Sequence, residues 1–227
     1  MVPSGDEVSL VPARPVVRGL RRVDLISPDP VAAAVRYRAL LGWTPEPTGR
    51  GFDCWVGDRR CSEIRKPRAG ERPGWHPVLA GNSPSCTLTG PDDALAVIAR
   101  GRAQHGPWAP PPRPGEPRWI DLATSAPERA DAFWAGTLHW VVRPTAGGAE
   151  YLVDDRPLAS RTARESAAGW GWLCFFAVED LSRAEKLLSE VGVELLERLD
   201  HPLLGEALLI TDPNGATLAL AAAGSWG

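Results

Sequence analysis

The chain repeats itself. The stretch from Arg22 to Trp43 (RVDLISPDPVAAAVRYRALLGW) lies without a gap on Trp119 to Trp140 (WIDLATSAPERADAFWAGTLHW), at an offset of 97 residues. Asp24-Leu25 falls on Asp121-Leu122, Leu41 on Leu138 and Trp43 on Trp140. Further along, Val56, Asp58-Arg59 and Gly74-Trp75 fall on Val153, Asp155-Arg156 and Gly171-Trp172. A period this long is no solenoid unit, and the segments are not of low complexity, so the repeat marks a duplicated domain. The 227 residues leave room for two domains of about 100 residues each. The halves can bury separate cores or share one.

Composition narrows the partners. Apolar residues make up 44% and charged residues 23% of the chain, as in an ordinary globular protein. The net charge of -3 and the absence of a long basic run argue against nucleic acid as a partner. Residues 1 to 15 carry an early acid pair and no apolar h-region, unlike a signal peptide, and no 18-residue apolar run is long enough to span a membrane. Cys54, Cys61, Cys86 and Cys174 show no CxxC spacing and read as free, buried thiols, which fits a cytoplasmic protein.

The local pattern gives the units. Val23 to Ser27 is a short, partly β-branched run punctuated by Pro28 and Pro30; residues 31 to 41 then repeat apolar side chains at helical spacing until Gly42. The second copy predicts a strand over 119–124 and a helix over 127–138. Strands follow near 52–57 and 149–154, and near 61–65 and 158–162, so each half opens with a strand–helix–three-strand unit. Another unit begins with LCFFAV (173–178), continues in a helix carrying Leu181, Ala184, Leu187, Leu188 and Val191 on one face, and ends in VELLER, EALLIT and ATLALA. Asp212-Pro213-Asn214-Gly215 makes a tight turn before the last of these. In the first half SCTLTG (85–90) reads as the matching strand and Asp92 to Gln104 as the matching helix. PWAPPPRPGEP (107–117) then reads as a polyproline-like linker. Roughly thirty residues, enough for three strands, are expected to be missing there.

Four such units in tandem, three complete and one a stump, resemble the vicinal oxygen chelate superfamily of glyoxalase I, bleomycin-resistance proteins and extradiol dioxygenases. Within it the chain is most similar to the two-domain, glyoxalase-like branch. The pieces that carry the resemblance are WIDLATSAPERADAFWAGTLHW, DDRPLAS, GWLCFFAVEDLSRAEKLLSEVGVELL and ITDPNGATLALA, and residues 18 to 104 carry it more weakly. The resemblance implies an α+β fold in which tandem βαβββ units form curled mixed sheets around a cup, with helices outside. One glyoxalase-like domain then spans 18–106 with its second unit truncated, and 107–117 links it to another over 118–223. Such a fold hosts many chemistries and does not fix a function.

In metal-binding members a histidine commonly opens the first strand, and a glutamate sits in the last strand of a unit. Here the opening positions hold Arg22 and Trp119, the last strand offers Ala219, and the start of LCFFAVED offers Leu173. Only Glu63, in CSEIR, stands near a ligand position, and Ser160 replaces it in the other copy. One carboxylate without convergent histidines does not hold a transition metal, which needs three or four N, O or S ligands. His76, His105, His139 and His201 match none of these positions and read as surface histidines at strand ends or in loops. The expectation is a metal-free member without a cofactor.

Strand alternation puts Ile120, Leu122 and Thr124 under the helix and Trp119 and Asp121 in the cup; by the same logic Arg22 and Asp24 face the first cup. Each aspartate has two readings. It is a partly desolvated general base, or it bonds backbone or an arginine and serves the fold, as its presence in both copies suggests. Of the ten tryptophans, Trp43 and Trp140 read as core, Trp75 and Trp172 as the frame of the cup entrance, and Trp119 as a flat contact for a ligand. Three functions follow. The first is a binding protein for an aromatic or bulky natural product, held by Trp119, Arg22, Glu63, Trp172 and Trp75. The second is a metal-free lyase, isomerase or cyclase with Asp121 or Asp24 as base. The third is a metal-dependent lyase or dioxygenase with other ligands. A homodimer that supplies the missing strands is a further possible partner.

Overall fold

A computed structural model, which describes residues 19–82, 84–163, 169–224 and 226, shows two mixed sheets and three α-helices among those residues. The N-terminal stretch read above against a signal peptide lies outside them. No helix is long and apolar enough to cross a membrane.

The first half runs β1 (Leu20–Ile26), α1 (Pro30–Leu41), β2 (Thr44–Thr48), β3 (Gly51–Val56), β4 (Arg59–Arg65), β5 (Gly74–Gly81), β6 (Cys86–Thr89) and β7 (Leu95–Arg100). These strands form a sheet of order β2-β3-β4-β1-β5-β7-β6. The second half runs β8 (Pro117–Ala123), α2 (Pro127–Leu138), β9 (Val141–Thr145), β10 (Gly148–Val153), β11 (Arg156–Thr162), β12 (Gly171–Val178), α3 (Leu181–Leu188), β13 (Glu194–His201), β14 (Gly205–Thr211) and β15 (Thr217–Ala222). Its order is β13-β14-β15-β12-β8-β11-β10-β9. The strands that sequence pattern did not single out, β2 and β9, are largely exposed edge strands that each end in Pro-Thr.

Helix α1 starts where the Asp29 carboxylate accepts the Ala32 N–H at 3.0 Å, with Pro30 in the first turn. It stops where Gly42 turns left-handed (φ 69°). Both helix-bearing sheet faces converge on one core, in which Trp43 packs edge-on and Trp75 tilted against Phe176 of the second half. The halves therefore share a core, and their concave faces look away from it.

The first half departs from the expected pattern. No helix spans 92–104; LAVIAR is strand β7, lying parallel to β5 as β15 lies parallel to β12, and β6 pairs with β7 as β14 pairs with β15. TGPDDALAVIA (89–99) lies on TDPNGATLALA (211–221) at an offset of 122 residues. The backbone agrees: Gly90 N–H bonds the Ala94 carbonyl as Asp212 N–H bonds that of Ala216. The two offsets differ by 25 residues, and those residues carry α3 and β13 in the second half. Among the described residues, what the first half lacks is one helix and the outermost strand, not three strands.

This turn clasps the halves together reciprocally. Asp92 accepts from the Thr124 and Ser125 hydroxyls at 2.6 Å each and from Ser125 N–H at 2.7 Å, which fixes the chain just ahead of α2. At the equivalent places Asn214 Nδ2 donates to Ser27 Oγ at 3.4 Å. Behind the clasp, Tyr37 donates to the buried Asp212 carboxylate at 3.2 Å. Trp134 replaces Tyr37 in the other copy and Gly90 replaces Asp212; a Cβ on Gly90 would stand 2.7 Å from the Trp134 ring. Indole needs the space that the missing carboxylate leaves.

The proline-rich segment is likewise bound down, unlike a free spacer. Gly115 N–H and the Glu116 carbonyl pair with Ala177, and the Gly115 carbonyl accepts Trp43 Nε1 at 2.7 Å. Buried Glu116 bonds Arg59 at 2.7 Å and Arg113 at 2.6 Å.

Candidate functional site

The two cups are unequal. In the second, Trp119, Leu173, Phe175, Leu204, Leu209 and Ala219 form a compact apolar cluster against which Leu203 and Trp226 pack. Trp119 is fully buried, its ring 5.4 Å from that of Trp226, and its Nε1 donates to Ser160 Oγ at 2.7 Å. The indole proposed above as a ligand contact thus already has partners in its own chain.

Beside this cluster lie Asp121, Ser160 and His201. His201 Nδ1 accepts the backbone N–H groups of Leu203 (3.2 Å) and Leu204 (3.3 Å), so a neutral ring carries its proton on Nε2, 3.4 Å from Ser160 Oγ. Ser160 thus receives two donors, His201 and Trp119, and stands opposite Asp121 across the β8–β11 ladder, where its hydroxyl favours the charged carboxyl. Asp121 Oδ1 is buried without a partner. Burial pushes the carboxyl up to about 6 despite the opposing bond from Ser160, and burial pulls His201 down to about 4, helped by Arg118. A carboxyl titrating near 6 can exchange a proton near neutral pH.

The first cup is polar. Asp24 is held by both arms of Arg22 (2.7 and 2.9 Å) and by the Glu63 backbone N–H at 2.8 Å. Glu63 faces Arg60 at 3.1 Å, Arg50 at 3.6 Å and Arg22 at 3.9 Å. Burial alone would lower the Arg22 guanidinium, but Asp24 and then Glu63 outweigh it and hold it above its ordinary value. The aspartate and arginine of β1 thus form a fixed internal pair, with both carboxylate oxygens engaged.

Next to this network opens a cavity of about 420 Å³, lined by Arg68, Glu71, Arg72, His76, Thr87 and Val97, among others. His76 is opposite Asp24 across the β1–β5 ladder and only 7% exposed, and burial holds its imidazole below its ordinary value. It is the counterpart of Leu173 at the 97-residue offset, a match the reading of the histidines overlooked. Only His139 of the four is exposed; His76, His105 and His201 are buried, because the concave face and the linker enclose positions that look like strand ends in sequence. His201 left no such signal, since its strand has no partner copy.

The cavity lies where the second half places the chain leaving β13. In the second half that chain carries His201, Leu203 and Leu204 onto the cup, and the described residues of the first half have no such strand. Trp75 and Trp172 do not frame either cup. Their rings lie in the shared core, Trp75 against Tyr37 and Trp172 against Trp134, and flank a smaller cleft of about 230 Å³ between the halves.

Among the described residues neither cup offers a ligand set for a divalent metal. Arg22 puts a cation at the opening position of the first, and Trp119, Leu173 and Ala219 supply no lone pair in the second. Among the described residues no group of three or more His, Cys, Asp or Glu side chains could hold an ion.

No protein-family model matches the chain, and no curated protein matches it by sequence. Solved structures match its fold. A Mn(II)-bound glyoxalase from Novosphingobium aromaticivorans aligns with a TM-score of 0.58 at 12% identity, over 93% of this chain and 85% of its own. A catechol 2,3-dioxygenase aligns at 0.59 and 12%, over 93% and 94%. A variant of homoprotocatechuate 2,3-dioxygenase from Brevibacterium fuscum aligns at 0.61 and 10%, over 93% and 73%. The chain has the vicinal oxygen chelate fold, built as two glyoxalase-like halves.

Proposed function

We propose that the chain is a metal-independent, small-molecule-binding protein of the glyoxalase and bleomycin-resistance kind, and that the open cup of the first half is its binding site. The observation that carries this reading is the 25-residue difference between the halves, which takes away a cup-covering strand and leaves a cavity of about 420 Å³, the size of a small-ligand site. Val97 lies on the floor of that cavity, so Val97→Trp would fill it. Saturation-transfer NMR with a panel of small carboxylates, phenols and polyols is expected to show binding to the wild type and none to a folded Val97→Trp protein. No binding by any class, or binding unchanged by the substitution, would refute the reading.

A second reading, a metal-free lyase, isomerase or cyclase, draws its support from Asp121, whose carboxyl is pushed up to about 6 beside the Ser160 hydroxyl. Asp24 suits that role less, because both its oxygens are bonded. Turnover that survives Asp121→Asn unchanged would rule out Asp121 as the base.

A further inference from the structure

Resting on the first reading, we infer that the first cup takes a small organic anion that also carries a hydroxyl or carbonyl group. Two groups that line one cavity define this chemistry. The loop after β4, RKPRAGER (65–72), carries four cations against one carboxylate. Both Glu71 oxygens are bonded to Arg65, and one also accepts the Arg68 N–H at 3.0 Å. Arg65 chiefly holds the Glu71 carboxyl down at about 2, so it stays ionised and occupied. Arg72 pairs with Asp93 at 3.0 Å. Of the other two, Lys66 is exposed and lies outside the cavity lining, which leaves Arg68: its backbone is pinned, it lines the cavity, and its guanidinium has no carboxylate among the described residues. Guanidinium offers a planar donor fork that suits a carboxylate or a phosphate.

His76, only 7% exposed, lines the same cavity. With its proton affinity lowered by burial, the ring is neutral at neutral pH and presents one donor and one acceptor. Such a ring recognises a hydroxyl or carbonyl in preference to a second anion. Thr87 and Thr89 of β6 add hydroxyls along one wall, and Leu95 and Val97 supply an apolar floor. In the second half Leu173, Leu209 and Ala219 occupy the places of His76, Thr87 and Val97, so only the first cup has this polar lining.

The test measures mandelate, its neutral amide, phenylacetate and phenyl phosphate by isothermal titration at low salt. Mandelate is expected to bind the wild type at least tenfold more tightly than the amide, and Arg68→Gln to remove that preference; one charge-assisted pair is worth about this much. His76→Ala is expected to erase the preference for mandelate over phenylacetate, which lacks the hydroxyl. Tighter binding of phenyl phosphate than of mandelate would assign the anion as a phosphate. Equal binding of mandelate and its amide, or discrimination unchanged in Arg68→Gln, overturns the anion assignment; if Val97→Trp still blocks both compounds, the cup survives as the site. Binding that persists in Val97→Trp overturns the site itself. Failure of all four probes to bind the wild type overturns the inference.

Discussion

Replacing Asp121 by asparagine isolates the energetic cost of a carboxyl buried beside Trp119. The folded protein holds this group up to about 6, chiefly by burial, against an ordinary value of 3.8. Below both values the carboxyl is protonated in the folded and the unfolded chain and contributes no difference. As pH rises from about 4 to 6, the unfolded chain releases the proton first, so stability falls through that window and stays lowered above it. Integrated between pH 4 and pH 8, the loss is about 2.5 kcal/mol. Asparagine cannot ionise and escapes it. The carbonyl of the substituted side chain can still accept from Ser160, while its amide group replaces the unpartnered Oδ1 and costs about 1–3 kcal/mol at every pH. The expected signature is therefore a slope: the stability of Asp121→Asn relative to wild type improves by about 2.5 kcal/mol from pH 4 to pH 8, whatever its sign at the start. Urea denaturation at five pH values measures it, and the relative midpoint should move by roughly 1 M. His201, held down at about 4 by burial, is common to both proteins and contributes to both curves. A pH-independent difference would show that Asp121 ionises at its ordinary value and that the Ser160–His201 arrangement does not isolate it from water.

Two further substitutions probe the shared core. Gly115 has φ 88°, and a Cβ there would stand 2.2 Å from the Leu41 carbonyl oxygen; Gly115→Ala should cost about 3 kcal/mol or more, read as a fall in urea midpoint at pH 7. Tyr37→Phe removes the bond to Asp212 Oδ2, on a side chain that is fully buried, and should cost about 1–3 kcal/mol; a loss below about 0.5 kcal/mol would show that Arg36, 3.9 Å from the same oxygen, satisfies it without the tyrosine.

The 97-residue offset made most of the fold legible, because α1 and α2 and their flanking strands keep their spacing in both copies. The sequence pattern misleads where the spacing changes. Pro91, Asp92 and Asp93 ahead of an alanine-rich run look like the start of a helix, since proline and acids favour the first helical turn. In the folded chain Asp92 and Asp93 both take left-handed backbone (φ 55°), a conformation aspartate tolerates better than most residues. The segment after them is then captured by β5, and ladder pairing overrides local preference. The facing of Arg22, Asp24, Trp119 and Asp121 could be read from alternation alone, but their availability could not. Whether a cup is open or filled depends on a strand elsewhere in the chain, and the arginines that neutralise Glu63 come from three separate strands or turns. His76 was within reach through its offset from Leu173; the free guanidinium of Arg68 was not, because it is defined by what Glu71 and Asp93 leave over.

The reciprocal clasp bears on how occupancy of the cup would be sensed. Asp92 begins the turn into β7, whose other face carries Val97 of the cavity, and the same carboxylate secures the start of α2 in the opposite half. A ligand that steadies β7 would therefore raise the free energy of opening α2 as well, and its binding energy would be distributed over both halves. Slowed amide exchange along residues 127–138, far from the cup in sequence, would be its mark.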